Sequence, residues 1–234
     1  MRNAIPDRPN RVPAGATTDG PPDATNDVTA RIARQSLERR GVDYESEVRR
    51  LLDAALDVVR RCGTTKRARV ADIVAAAGVS NDAFYRYFPS KDALFAAILE
   101  DGTARLQSYL AHQMAKEATP EGQVRRWVEG VLAQAAYEDI AATTLAVLWN
   151  GGSVGEGLPS GRPSASRPLA TLLRGPFAAL GSADADLDAA LAAHAVVGTL
   201  SDHLWDRAHP SQQTIDHVVD VCLAVATAST RMRP

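Results

Sequence analysis

Between Arg69 and Lys91 the chain carries Ser80, Asn81, Asp82, Tyr85, Arg86 and Tyr87, a set of side chains suited to reading a nucleic acid. Asn and Arg each offer two hydrogen-bonding atoms in one plane. That arrangement pairs with a base edge in a major groove and discriminates between bases by about 1–3 kcal/mol. Tyr85 and Tyr87 can reach phosphates or thymine methyls. Asp82 is repelled by phosphate. It can accept from a cytosine amino group, or it can favour a helix start through the backbone dipole. Lys91 and Arg69 are cations for the phosphate backbone.

Spacing decides which of these groups share a surface. Phe84 and Phe88 are one helical turn apart and predict an inward face. On the same helix Asn81, Asp82, Tyr85 and Arg86 then point away from that face. Upstream, Val70, Ile73, Val74 and Ala77 predict a short helix ended by Gly78, where the turn favours a positive φ. Ser80 is an N-cap, and Pro89 stops the second helix because it has no N–H and restricts Phe88. Helix, glycine turn and capped helix are the plan of a helix-turn-helix, whose second helix lies in a DNA major groove. Ser90 recaps the chain, with Asp92 in the first turn of a long helix. Lys91 sits at that helix start, where its ammonium and the free N–H groups suit a phosphate.

Gly78-Val79-Ser80 followed by Phe84-Tyr85-Arg86-Tyr87-Phe88-Pro89-Ser90-Lys91-Asp92-Ala93-Leu94 closely resembles the signature of the TetR family of bacterial transcriptional regulators. The resemblance covers residues 46–100. It implies a three-helix DNA-binding domain joined by a fourth helix to an all-α regulatory domain. It implies a homodimer built through the last two helices and a palindromic operator on double-stranded DNA. It also implies a repressor, released when a small-molecule effector enters the C-terminal core. Tyr85 matches the family tyrosine that contacts DNA, Lys91 the lysine that holds a phosphate, and Ser80 and Asn81 the start of the recognition helix. The chain departs from the family pattern at Tyr87, where many members carry His, and at Ala68-Arg69, where many carry Thr. Arg69 is the candidate to replace that phosphate contact.

The remaining chain sets the frame. Its 234 residues, 45% hydrophobic and 23% charged, suit a globular fold with a sizeable core. The formal charge is −2, yet residues 1–91 carry 16 basic and 12 acidic groups, and residues 92–234 carry 10 and 16. A basic front end can bind a polyanion through that end. Residues 1–27 are rich in Pro, Gly, Thr, Asp and Asn and predict a disordered tail. Residues 28–44 form a basic extension, expected as an extra helix, and its Arg31, Arg34, Arg39 and Arg40 are a candidate arm for an adjacent minor groove. Residues 45–92 are expected to be the DNA-binding domain and 93–234 the helical regulatory and dimerisation domain.

Periodic apolar residues run almost to the end, with no alternating stretch, so the expectation is an all-α protein of nine or ten helices. Thr119-Pro120-Glu121 starts a helix, and 151–167 reads as a loop. A helix over Leu169–Leu180 should kink at Pro176, and Ser182 and Ser211 are candidate caps for the last two helices. Trp127, Leu148, Trp149, Phe177 and Trp205 are candidates to line a ligand pocket, although core packing explains them equally well. Two cysteines, Cys62 and Cys222, exclude a disulfide scaffold and a four-cysteine zinc site. The histidines and nearby aspartates fit no compact ligand spacing, so no metal and no cofactor is expected. No catalytic triad or ordered pair of carboxylates is present, and the expectation is a non-enzyme. No apolar run approaches the roughly 18 residues of a membrane span, and a cytoplasmic protein is expected. The alternative is an all-helical binding protein or enzyme that keeps the helix-turn-helix only as scaffold.

Overall fold

The computed structural model describes residues 24–151 and 165–228, with side chains from Asp43 onward. Ten helices and no strand occur among the described residues. They are α1 (Ala24–Cys62), α2 (Val70–Ala77), α3 (Asn81–Tyr87), α4 (Lys91–Met114) and α5 (Pro120–Ala136). Then come α6 (Glu138–Asn150), α7 (Ser166–Ala170), α8 (Arg174–Ala179), α9 (Ala185–Asp206) and α10 (Gln212–Ala228). The chain divides between Glu45 and Ser46 into two compact units. The described part of the first unit, residues 24–45, is helical throughout.

The extra helix expected over 28–44 is not a separate element; it is part of α1. Gly41 is helical and does not break the chain. A single mid-helix glycine costs only about 1 kcal/mol, which the helix formers around it offset. Most of the expected tail, residues 1–23, lies outside the described residues, and 24–27 belong to α1.

Residues 46–234 hold two hydrophobic cores. One gathers Leu51, Ala55, Val59, Ile73, Phe84 and Phe88 with Leu94, Phe95 and Ile98 of α4. Ala146 and Val147, from the last turns of α6, complete it. The other core packs α5, α9 and α10 with parts of α4, α7 and α8, around Trp127, Leu132, Phe177, Ala193 and Val219. At Gly130 the helices α4 and α5 come so close that an added Cβ would run into Leu110 Cδ2. Arg125 of α5 pairs with Asp216 of α10 at 2.6 Å.

Local chemistry sets the element ends. Thr119 and Ser211 cap α5 and α10, accepting from the N–H groups of Gly122 and Thr214 at 3.1 Å each. Two boundaries differ from expectation. Over 169–180 the break falls at Thr171–Leu173, giving α7 and α8, while Pro176 sits in the first turn of α8. A proline is tolerated there because the N–H it lacks would have no intrahelical partner. The cap of α9 is Asp184, which accepts from Leu187 N–H at 3.0 Å, not Ser182. The Ser182 hydroxyl instead donates to Asp188 at 2.6 Å. Of the expected loop over 151–167, residues 152–164 lie outside the described ones, and Ser166 and Arg167 begin α7.

Candidate nucleic-acid interface

The helix pair α2–α3 is built by short-range rules. Gly78 takes φ 66° and its N–H closes on Val74 O, ending α2 in the left-handed region that suits glycine. Ser80 accepts from Ala83 N–H at 3.1 Å and opens α3. Phe84 is fully buried, with its ring 5.9 Å from that of Phe88, so both serve the core. That orientation leaves Asn81, Asp82, Tyr85 and Arg86 exposed on the outer face of α3. Tyr85 is 55% exposed and stands edge-on to Phe84, with centroids 5.1 Å apart. One seven-residue helix therefore presents an amide, a carboxylate, a phenol and a guanidinium to solvent.

Two of the expected contact residues are already engaged within the protein. The half-buried Tyr87 donates its hydroxyl to Glu47 Oε2 at 2.6 Å. Arg86 reaches the same oxygen at 3.2 Å, and its guanidinium lies 5.0 Å from the Tyr87 ring centroid. The Tyr87 hydroxyl, helped by Arg86, holds the Glu47 carboxyl below its ordinary 4.5. Burial and the Glu47 carboxylate push the Tyr87 phenol above its ordinary 10.0. Glu47 lies 40 positions from Tyr87 on α1, and no local pattern announces it.

The approach to α2 is tied down as well. Arg69 precedes α2 without capping it through its side chain and forms a two-pronged pair with Asp72 at 2.9 and 3.0 Å. That hydrogen bond lowers the Asp72 carboxyl and raises the Arg69 guanidinium. Arg69 remains largely exposed, so its outer edge is open to solvent. Lys91 starts α4 as expected, with Nζ 3.5 Å from Ala68 O and 5.8 Å from the Phe95 ring centroid. Ser90 caps the same helix by accepting from Ala93 N–H at 3.1 Å. Of the nearby side chains, Thr65 donates to Cys62 O, Thr64 accepts from Arg207, and the exposed Arg67 donates to Asn150 O. The arm candidates Arg31, Arg34, Arg39 and Arg40 lie on helical backbone, but their side chains fall outside the described ones.

A cavity of about 990 Å³ opens between α1, α4, α6 and α9. Its wall is mainly apolar, including Leu52, Leu56, Leu99, Val147, Leu148 and Leu200. Of the five residues expected at a pocket, only Leu148 lies on this wall. Trp127 is fully buried, with Nε1 donating to Leu169 O at 3.1 Å, and Phe177 is buried in the same core. Trp149 lies under the Arg67 guanidinium at 4.4 Å, and Trp205 is 51% exposed. Helical spacing places an aromatic on an apolar face, but it does not distinguish packed core from cavity wall. No group of three or more His, Cys, Asp or Glu able to hold a metal occurs among the described residues. No single helix among them is long and apolar enough to cross a membrane.

Residues 51–98 match the family described as bacterial regulatory proteins, tetR family. No curated protein matches the chain. Among solved structures, the chain is similar to a proposed transcriptional regulator from Pseudomonas aeruginosa PAO1, with 23% identity and a TM-score of 0.57. That match covers 80% of this chain and 93% of the other. A second is RolR in complex with resorcinol, at 17% identity and TM-score 0.56 over 83% of this chain and 98% of that one. A third is the reduced form of Escherichia coli NemR, at 18% identity and TM-score 0.52 over 76% and 94%. At these identities the likeness is one of fold, an all-α, two-domain fold.

Proposed function

We propose, from the match of residues 51–98 to the bacterial regulatory proteins of the tetR family, that the chain is a ligand-responsive DNA-binding repressor, binding a palindromic operator as a homodimer. The observation that carries this reading is the outer face of α3, where Asn81, Asp82, Tyr85 and Arg86 stand exposed over a Phe84–Phe88 core. Asn81 and Arg86 read base edges, and Tyr85 reaches the backbone or a thymine methyl. Lys91 and Arg69 flank α3 and hold phosphates, which fixes register without reading sequence.

A second copy of the chain covers the outer faces of α9 and α10. Leu187, Leu191 and Trp205 lie along one stripe of α9, each more than half exposed, and Val221 of α10 is also exposed. Apolar side chains of this size in line mark an interaction face. Two-fold pairing there sets the two copies of α3 about 34–36 Å apart for successive major grooves. A small, largely apolar molecule seated in the cavity between α1, α4, α6 and α9 favours a different spacing and releases DNA. The protein works in the cytoplasm and catalyses no reaction.

The test is selection of duplexes from a random-sequence pool by the purified chain at near-physiological salt. The expected result is a small set of duplexes sharing an inverted repeat. Lys91→Ala should then weaken every selected duplex and reduce the slope of log affinity against log salt by about one. Affinity and slope unchanged by the substitution would overturn the docking described here.

A further inference from the structure

Asn150, the last residue of α6, is 1% exposed, the least exposed polar side chain among those described as buried. Both polar atoms of its amide are engaged. Nδ2 donates to Ala146 O one turn back at 2.9 Å, while Oδ1 accepts from the Ala68 N–H at 2.8 Å. Its own carbonyl accepts from Arg67 at 3.3 Å, and the Arg67 guanidinium stacks on the neighbouring Trp149 at 4.4 Å. The end of α6 thus grips Arg67 and Ala68, two residues just before α2. The grip continues inward, because Ala146 and Val147 are part of the core that holds Phe84 and Phe88.

The peptide at Ala68 is held from both sides. Its N–H goes to Asn150, and its carbonyl faces Lys91 Nζ at 3.5 Å. Lys91 is the phosphate candidate at the start of α4, so Asn150 stands two contacts away from that lysine. The same helix forms a wall of the cavity through Thr143, Thr144, Val147 and Leu148. A buried amide bonded to both segments transmits a shift, since leaving Ala68 N–H without an acceptor is costly.

We propose that Asn150 is a positioning residue for DNA binding. Its amide, assisted by Arg67 on Trp149, sets the position of the segment entering α2 and of Lys91, so that displacement of α6 reaches the helix-turn-helix directly, without passing along α4. The proposal rests on the DNA-binding reading above and specifies how the same site is regulated. Asn150 touches no DNA; it acts through Ala68.

The experiment compares the full chain with Asn150→Leu and Asn150→Asp, using one duplex selected by the unaltered protein. Three quantities are read: helix content, hydrogen exchange at the Ala68 amide, and DNA affinity as a function of salt. Asn150→Leu keeps the volume and removes the acceptor. It should retain helix content, lose protection at Ala68, bind the duplex about tenfold more weakly and show a salt slope smaller by about one. Asn150→Asp keeps an oxygen for Ala68 N–H but gives up the bond to Ala146 O, and should retain protection at Ala68 and lose less affinity than Asn150→Leu. A folded Asn150→Leu with Ala68 unprotected and affinity unchanged would overturn the proposal. So would equal loss of affinity in both variants, since a purely structural role predicts no rescue by the acceptor. Should Asn150→Leu lose helix content, Trp149→Ala takes its place. It strips the surface under Arg67 and should cost about threefold in affinity, and no loss refutes the proposal. If the unaltered chain selects no duplex, the DNA-binding reading fails and this proposal with it, an outcome that the control separates from the others.

Discussion

Of the side chains proposed to read bases, Arg86 is the one held by other groups of the protein. By type and position it is a base reader, yet its guanidinium rests on Glu47 at 3.2 Å and on the Tyr87 ring. Glu47 places a negative charge beside the face that would meet DNA. Glu47→Gln should therefore raise affinity for unrelated duplexes and steepen the salt slope by up to about one, as Arg86 becomes available to a phosphate. Fluorescence anisotropy with a duplex of arbitrary sequence at several salt concentrations measures this, and an unchanged slope contradicts it. Acid should have a related effect. The folded-state carboxyl of Glu47 lies below its ordinary 4.5. Its pairing is therefore complete above the unfolded-state value and is lost only as pH falls through the lowered folded value. At neutral pH Glu47 remains charged, and the restraint on Arg86 and Tyr87 is in place.

At the scale of elements, close approach and open space give glycines opposite roles. Gly130 of α5 lies against the fully buried Leu110, whose Cδ2 an added side chain would displace, and Leu110 has no exposed route to move into. Gly102 of α4 has nothing within 4 Å of the position a Cβ would take. Gly130→Val is expected to lose about 1–3 kcal/mol by overpacking. Gly102→Ala is expected to gain about 0.5–1 kcal/mol, because alanine is the better helix former. Urea midpoints of the two variants check both, and a stabilised Gly130→Val would mean that α4 and α5 are not in contact there. Element boundaries follow a related rule. The caps at Ser80, Ser90, Thr119 and Ser211 are local and were legible in the sequence. The cap at Asp184 was not, because Ser182 is an equally good residue type and only the hydrogen bond to Asp188 takes it away.

At the scale of the molecule, the proposed dimer rests on α9 and α10. Val219 and Cys222 of α10 are each 1% exposed and belong to the core, so they do not form that face. Burial also pushes the Cys222 thiol up to about 11. Leu191, more than half exposed, is the better probe. Leu191→Glu should halve the mass measured by light scattering at micromolar concentration and abolish cooperative binding to an inverted repeat, while leaving helix content unchanged. An unaltered mass would place the interface elsewhere.

The sequence alone determined the helix-turn-helix, its turn at Gly78, the inward Phe84 and Phe88 and the outward Asn81, Asp82, Tyr85 and Arg86. Each of these follows from rules acting within one or two helical turns: periodicity, capping and the conformational freedom of glycine. It also determined the all-α class, because apolar residues recur at helical spacing and never alternate. Only the tertiary structure decided what those helices touch. Glu47 meets Tyr87 across 40 positions and Asn150 meets Ala68 across 82, and neither residue carries a local mark of its partner. The cavity was hidden for the same reason. Trp127 and Phe177 look like Leu148 along a helix, and which of them is packed and which lines space depends on how distant helices close around them.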